Sequence, residues 1–204
     1  MSEKQLYIVR HGETDFNRKG IVQGRGVNSE LNATGRLQAA AFYAAYRHIP
    51  FEKVFISDLI RTEQSVQPFI EAGLPVQKSP GLDEFNWGTF EGRSFGDFHH
   101  DYHRLVNRWN SGDYAARPPE GESPLEVAER QREIIPVIEA EKANIILICM
   151  HGRAMRLFLC QLLGLPFSEM DTFEHTNFSL YQLRFSDGEW SLLKANDTAH
   201  LSLL

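Results

Sequence analysis

Two runs of the chain are apolar at nearly every position and close on the same pair of residues. Leu6 to Val9 lead into Arg10-His11-Gly12, and Ile145 to Met150 lead into His151-Gly152. Unbroken runs of this length, rich in β-branched residues and stopped by glycine, predict strands of a parallel sheet covered on both faces. Lys53 to Ser57 predicts another strand, and Pro75 to Ser79 a short one. Between them the period changes to that of a helix, first from about Thr34, where Leu37, Ala40, Ala41, Ala44 and Ala45 recur. Ile60 to Ala72, Phe95 to Trp109 and Ala154 to Leu163 read the same way. Ser123-Pro124-Leu125-Glu126 is a helix start of the capping-box kind, with a kink or break expected near Pro136. Phe178 to Phe185 and Trp190 to Lys194 alternate and join through Asp187-Gly188, a hairpin signal.

Strands alternating with helices predict an α/β fold, a three-layer α/β/α sandwich around a mainly parallel sheet. The 204 residues suit a single domain over 1–204. Within it the stretch 85–122, with its glycines, aromatics and Pro118-Pro119, is expected to be an inserted subregion on the substrate side.

Composition narrows the partners. A net charge of −6 without a basic block argues against nucleic acid and against an anionic membrane surface. The two cysteines, Cys149 and Cys160, lie in apolar patterns and read as reduced, buried residues. Met1 to Gln5 lead straight into a strand without a signal-peptide pattern, and no run reaches membrane-spanning length, so a cytoplasmic location is expected. The sequence leaves the oligomeric state undetermined, a homodimer included.

Side chains just past the carboxyl ends of parallel strands meet at one rim, where α/β proteins bind ligands. His11 and His151 are therefore expected to share a pocket with Arg10 and with Ser57 to Arg61. Two arginines and two histidines make an anion site, and guanidinium forks match phosphate oxygens. The glycine after each histidine is expected to let the backbone approach a ligand and to offer N–H groups near a helix start. No serine or cysteine stands by for a histidine to activate, and no Gly-x-x-x-x-Gly-Lys pattern occurs. Histidine itself then remains as the nucleophile. Glu84, in Leu82-Asp83-Glu84-Phe85-Asn86-Trp87-Gly88, has apolar neighbours that suit a proton donor, with Asp83 and Glu13 as alternative acids.

Arg10-His11-Gly12-Glu13-Thr14 with Asn17, then Gln23-Gly24, Leu31, Gly35 and Gln38-Ala39, resembles the histidine phosphatase superfamily. That group includes cofactor-dependent phosphoglycerate mutases and many small phosphatases. The resemblance continues in order through Ser57 to Thr62, Asp83-Glu84, Phe90-Glu91-Gly92, Gly121-Glu122-Ser123, His151-Gly152 and Asn196 to Leu201. It implies that His11 accepts the phosphoryl group, that His151, Arg10 and Arg61 hold its oxygens, and that Glu84 donates the proton. Asn17, Gln23, Gly24 and Gly152 are implied to complete the phosphate and substrate shell, with no metal and no cofactor. The chain departs from the family pattern at Arg25, where tryptophan often stands, and at Asn28, where aspartate is common.

The expected function is a phosphomonoesterase acting on a small phosphorylated metabolite through phospho-His11. The alternatives are a phosphoglycerate mutase and a non-catalytic phosphate-binding module. His99, His100 and His103 are read as a solvated helix face, and Arg25, Arg93 and Arg117 as surface charges. Trp87 and Phe16 are read as either pocket wall or core.

Overall fold

The computed structural model describes residues 3–202 and residue 204. The four expected parallel strands are β1 (Lys4–Arg10), β2 (Lys53–Ile56), β3 (Val76–Lys78) and β4 (Ile145–Met150). The hairpin is β5 (Leu180–Ser186) and β6 (Glu189–Asp197). All six form one sheet in the order β3-β2-β4-β1-β5-β6. The first four strands pair in parallel, and the hairpin adds an antiparallel edge beside β1. The fold is thus the expected three-layer arrangement around a mainly parallel sheet.

Side chains leave the strands to alternate faces. Leu6, Ile8, Ile146 and Ile148 enter one core, while Tyr7, Val9, Leu147 and Cys149 enter the other. The helices are α1 (Asp15–Arg18), α2 (Ala33–Tyr46), α3 (Ile60–Glu71), α4 (His99–Asn110), α5 (Pro124–Ala140) and α6 (Gly152–Leu162), of which all but α1 bury residues in these cores. Ala39 and Phe42 of α2 and Val66 and Phe69 of α3 close one face. Val127, Ile134 and Ile138 of α5, with Leu157 and Phe158 of α6, close the other. Stretch 85–122 has no core of its own. Phe85 and Trp87 pack against the fully buried Trp109 within the α5/α6 core, and Trp109 Nε1 donates to Ala116 O at 2.8 Å.

Three local expectations change. The helix α5 does not break at Pro136 but runs on through it, with that residue on the exposed face, where the freed Arg132 carbonyl is beside solvent. Phe95 to Asp97 form a 3₁₀ turn, and α4 begins only at His99. The short helix α1 was not anticipated. Thr14 and Asn17 build it as a reciprocal capping box immediately after the first strand's motif. Among the described residues no helix is long and apolar enough to cross a membrane.

The loop after β1 lies directly on the first turn of α2. Asn32 caps that turn through Gly35 N at 2.9 Å, and a β-carbon at Gly35 would stand 2.2 Å from Glu13 O. Gly35→Ala is therefore expected to lower the unfolding free energy by about 1–3 kcal/mol, as overpacking against backbone does. Urea denaturation measures it. A loss within about 0.5 kcal/mol, the range of neutral surface changes, would mean that the two backbones separate at little cost.

Candidate active site

Strands β1 and β4 are in register, with Val9 opposite Cys149 and Arg10 opposite Met150. The chain leaves both at the same height, and the ring centroids of His11 and His151 lie 5.1 Å apart. His11 N donates to Met150 O at 3.0 Å, which ties the first histidine's backbone to the second strand. The His11 ring is fixed by its Nδ1, 2.7 Å from Gly12 O. A carbonyl only accepts, so Nδ1 carries the proton and Nε2 keeps its lone pair. Burial, then Arg61 and Arg10, push His11 well below the usual imidazole range. It is a neutral imidazole at pH 7.

His151 is fully buried and bound at both ring nitrogens. Nδ1 accepts from Arg61 Nε at 3.2 Å, and Nε2 lies 2.8 Å from Ser57 Oγ. Burial and the same two arginines depress its pKa as well. Arg61 also donates to Val27 O at 2.7 Å and Gly24 O at 3.2 Å. Three of its five N–H groups are thus used, all on neutral acceptors. Burial lowers its pKa to about 10, which leaves it charged at neutral pH. Asn28, the departure from the family pattern, accepts from Ile60 N at 2.8 Å. It caps from a distant loop the start of α3, which its own N-cap, Leu59, leaves without a side-chain bond.

Glu84 is 7% exposed, and its carboxylate sits on the first turn of α6. Its Oε1 accepts from Ala154 N at 2.8 Å and Phe85 N at 3.0 Å, and Oε2 from Arg153 N at 3.1 Å. The apolar neighbours expected around it are thus joined by three backbone donors. The helix start read as a phosphate cradle holds this carboxylate instead. The glycines also serve differently from the expectation. A β-carbon on Gly12 would meet Gly35 O at 2.8 Å, and one on Gly152 would meet the His175 ring at 2.5 Å. On Gly24 it would meet Glu91 Oε1 at 2.1 Å. Protein, not ligand, occupies the space that each glycine leaves.

A cavity of about 260 Å³ opens over His11. Of the sequence-derived set, Arg10, His11, Asn17, Gln23, Glu84 and Gly152 line it. Arg61, His151 and Gly24 do not; they form the layer behind His11. Asn17 Oδ1 is held by Thr14 and by Asn177 Nδ2, and Gln23 bridges Thr14 Oγ1 and Ser29 Oγ. Trp87 is on the wall with Phe95 and Tyr102, whereas Phe16 is not. Asp83 is spent on Asp58 N and Arg25, and Glu13 on Asn32, so neither alternative acid faces the cavity. Arg117 pairs with Glu126, and Arg93 lies over the Phe98 ring. Among the described residues no group of three or more His, Cys, Asp or Glu side chains is gathered to hold a metal ion, His99, His100 and His103 included.

Four contributors went unread in the sequence. Arg153, Arg156 and His175 line the cavity, and Asn177 Nδ2 donates to His11 O at 2.9 Å. The arginines' signal was there: two cations three residues apart, directly after His151-Gly152 and at helical spacing. His175 and Asn177 precede β5, which pairs antiparallel with β1, Leu180 opposite Val9. That pairing brings them to His11.

A parallel-sheet rim that gathers two neutral histidines, several arginines and a sequestered carboxylate around one cavity defines an α/β protein with a cationic site. The profile of the histidine phosphatase superfamily (branch 1) matches residues 6–198, and the chain belongs to that family. A relative named "Probable phosphoglycerate mutase GpmB" from Yersinia enterocolitica is 32% identical over 206 residues, covering 98% of this chain and 95% of that protein. A mycobacterial glucosyl-3-phosphoglycerate phosphatase, solved with VO3, has a TM-score of 0.86 at 26% identity, covering 96% of this chain and 100% of the other. An alpha-ribazole phosphatase from Shigella flexneri has a TM-score of 0.82 at 26% identity, covering 95% and 96%.

The buried His11 and His151 and the half-buried His175 give stability a pH dependence. Burial, then Arg10, Arg156 and Arg153, hold His175 down at about 3, and His11 and His151 are depressed too. Below pH 6.5 the unfolded chain binds protons there that the folded chain does not, so stability falls as the pH drops. For His175 the loss continues to about pH 3. Each such group adds a slope of about 1.4 kcal/mol per pH unit. Chemical denaturation between pH 6 and 4.5 should show His175→Asn with a slope shallower by one such group. An unchanged slope would mean that His175 is protonated in the folded protein.

Proposed function

We propose that the chain is a metal-independent phosphomonoesterase, without a cofactor, that hydrolyses a small phosphorylated metabolite through a phosphohistidine on His11. The observation that carries this is the His11 tautomer. With Nδ1–H bound to Gly12 O, Nε2 is a neutral nucleophile on the cavity wall, backed by cations. Its lone pair attacks phosphorus, and the bond from phosphorus to the ester oxygen breaks. Arg10, on the cavity wall, meets the phosphoryl oxygens directly, while Arg61 adds its positive field from the layer behind His11 and His151, held by Ser57, keeps that guanidinium in place. Glu84 gives a proton to the departing oxygen. The same carboxylate then takes one from the water that cleaves phospho-His11. Asn17, Gln23, Gly24 and Gly152 shape the shell, and stretch 85–122 supplies the substrate-side wall through Trp87, Phe95 and Tyr102. The small phosphorylated substrate is the partner in this reading, acted on in the cytoplasm, with neither nucleic acid nor membrane engaged.

The relative named as a mutase supports a second reading, in which a substrate oxygen and not water takes the phosphoryl group from His11. Assaying phosphate release and isomer formation from 3-phosphoglycerate side by side separates the two.

Hydrolysis is expected to survive EDTA, because buried arginines supply the charge. Activity abolished by EDTA and restored only by Mg²⁺ or Mn²⁺ rejects that. His11→Ala should remove both turnover and the acid-labile, base-stable phosphoenzyme trapped by rapid quenching. Label on His151 or on a serine would reassign the nucleophile. Glu84→Gln should slow phosphorylation by alkyl phosphates at least about 100-fold, the usual worth of general acid catalysis. With p-nitrophenyl phosphate, whose leaving group needs no proton, it should give a nitrophenol burst and then slow turnover. Equal loss of the phosphorylation rate for both substrates would make Glu84 a positioning group only.

A further inference from the structure

The cavity holds more positive charge than one phosphoryl group calls upon. Arg153 and Arg156, one turn apart on α6, both place Nη1 on Asp171, a single carboxylate that is 30% exposed. The Arg153 side chain is 7% exposed and its guanidinium lies over the Trp109 ring, 5.1 Å from the centroid. Beyond those contacts its Nε and Nη2, and Nε of Arg156, are buried without a hydrogen-bond partner. A buried guanidinium N–H left unpaired is costly, and one Asp171 charge against two arginines leaves a net positive charge. His175 contributes no charge of its own here. Its Nδ1 accepts from Arg10 Nη1 at 3.3 Å, and the surrounding arginines help to keep it neutral.

The position of this cluster relative to Glu84 says which part of a ligand it meets. Glu84 Oε2 is bonded to the backbone N–H of Arg153 itself, so the Arg153 side chain starts beside the proton donor. The proton donor faces the leaving oxygen. What extends beyond that oxygen, the alcohol part of the ester, therefore passes over Gly152 towards Arg153 and Arg156. Trp87 and Tyr102 close the cavity with little charge to offer.

We propose that Arg153, Arg156 and His175 form a second anion subsite, which reads a carboxylate or a second phosphate on the alcohol part of the substrate. The physiological substrate is then a phosphomonoester of an acidic alcohol. The proposal rests on the phosphatase reading for its orientation, because Glu84 marks the leaving-group side only if it is the acid. Guanidinium pairs with anionic oxygens are among the stronger hydrogen bonds, and here the donors are already buried and oriented.

Phosphonates, which cannot be hydrolysed, test the subsite apart from the reaction. Calorimetry on the unaltered protein should show 3-phosphonopropionate binding at least about tenfold tighter than propylphosphonate, the value of one charge-assisted contact. Propane-1,3-diphosphonate in the same series identifies the acidic group: whichever of the two diacids binds more tightly is the chemistry the subsite prefers. In Arg153→Met and in Arg156→Met, with melting curves to confirm folding, the acidic-over-neutral ratio should fall to within about threefold. Equal affinities for the acidic and neutral phosphonates in the unaltered protein overturn the subsite without recourse to any variant. So does a ratio that survives in both folded variants. If the ratio is large but no phosphomonoester is turned over, the subsite stands and the hydrolase reading fails.

Discussion

The in-register pairing of β1 on β4 is the constraint from which the site follows. Side chains alternate along a strand, so a slip of one residue would turn Arg10 and Met150 to opposite faces and part the two histidines. Held in register, the strands put two imidazoles about one ring's width apart and beside two arginines. Such a cluster repels itself unless some members give up charge. The imidazoles do so; the arginines do not. Arg61 reaches its acceptors on Val27 and Gly24, and these are carbonyls rather than carboxylates. Neutral acceptors fix a guanidinium in place without cancelling its field, so the charge stays available to an incoming anion.

The same principle separates the two halves of the cavity. Behind His11, the buried Arg61 is held by two carbonyls and by the ring of His151. On the α6 side, two arginines share one carboxylate and keep N–H groups in reserve. The solved relatives of similar fold act, by their names, on phosphoglycerate-type and ribazole-type esters, which differ in the alcohol and not in the phosphoryl group. In the proposed reaction the α6 side is where this chain would express such a difference, because Glu84, the proposed acid, is held there.

Much of this was legible in the chain. The apolar runs, the capping box at Ser123 and the Asp187-Gly188 turn each produced the element they predict, since each signal is local. The pairing of His11 with His151 was legible too, because both end parallel strands. What escaped were contacts that depend on where remote segments return. Asn28 caps α3 from thirty-two residues away, and Asn177 reaches His11 only because β5 runs antiparallel to β1. The glycines misled for a related reason. A sequence shows that a position lacks a side chain, but not whether a ligand or His175 will fill the space. Pro136 does not end α5, because the carbonyl it frees lies on the exposed face, which the residue type alone does not reveal.

Among the described residues, the hydrogen bonds to the Glu84 carboxylate all come from the backbone amides of residues 85, 153 and 154. An amide donor is present whatever residue carries it, proline excepted. The side chain at position 153 can therefore be exchanged through descent while the acid keeps its donors. In the proposed reaction Arg153 thus bears on the choice of ester through its side chain and on the acid through its amide alone. In the proposed reaction, then, a change of side chain on the first turn of α6 would alter which ester is favoured while the amides that place the carboxylate stay where they are.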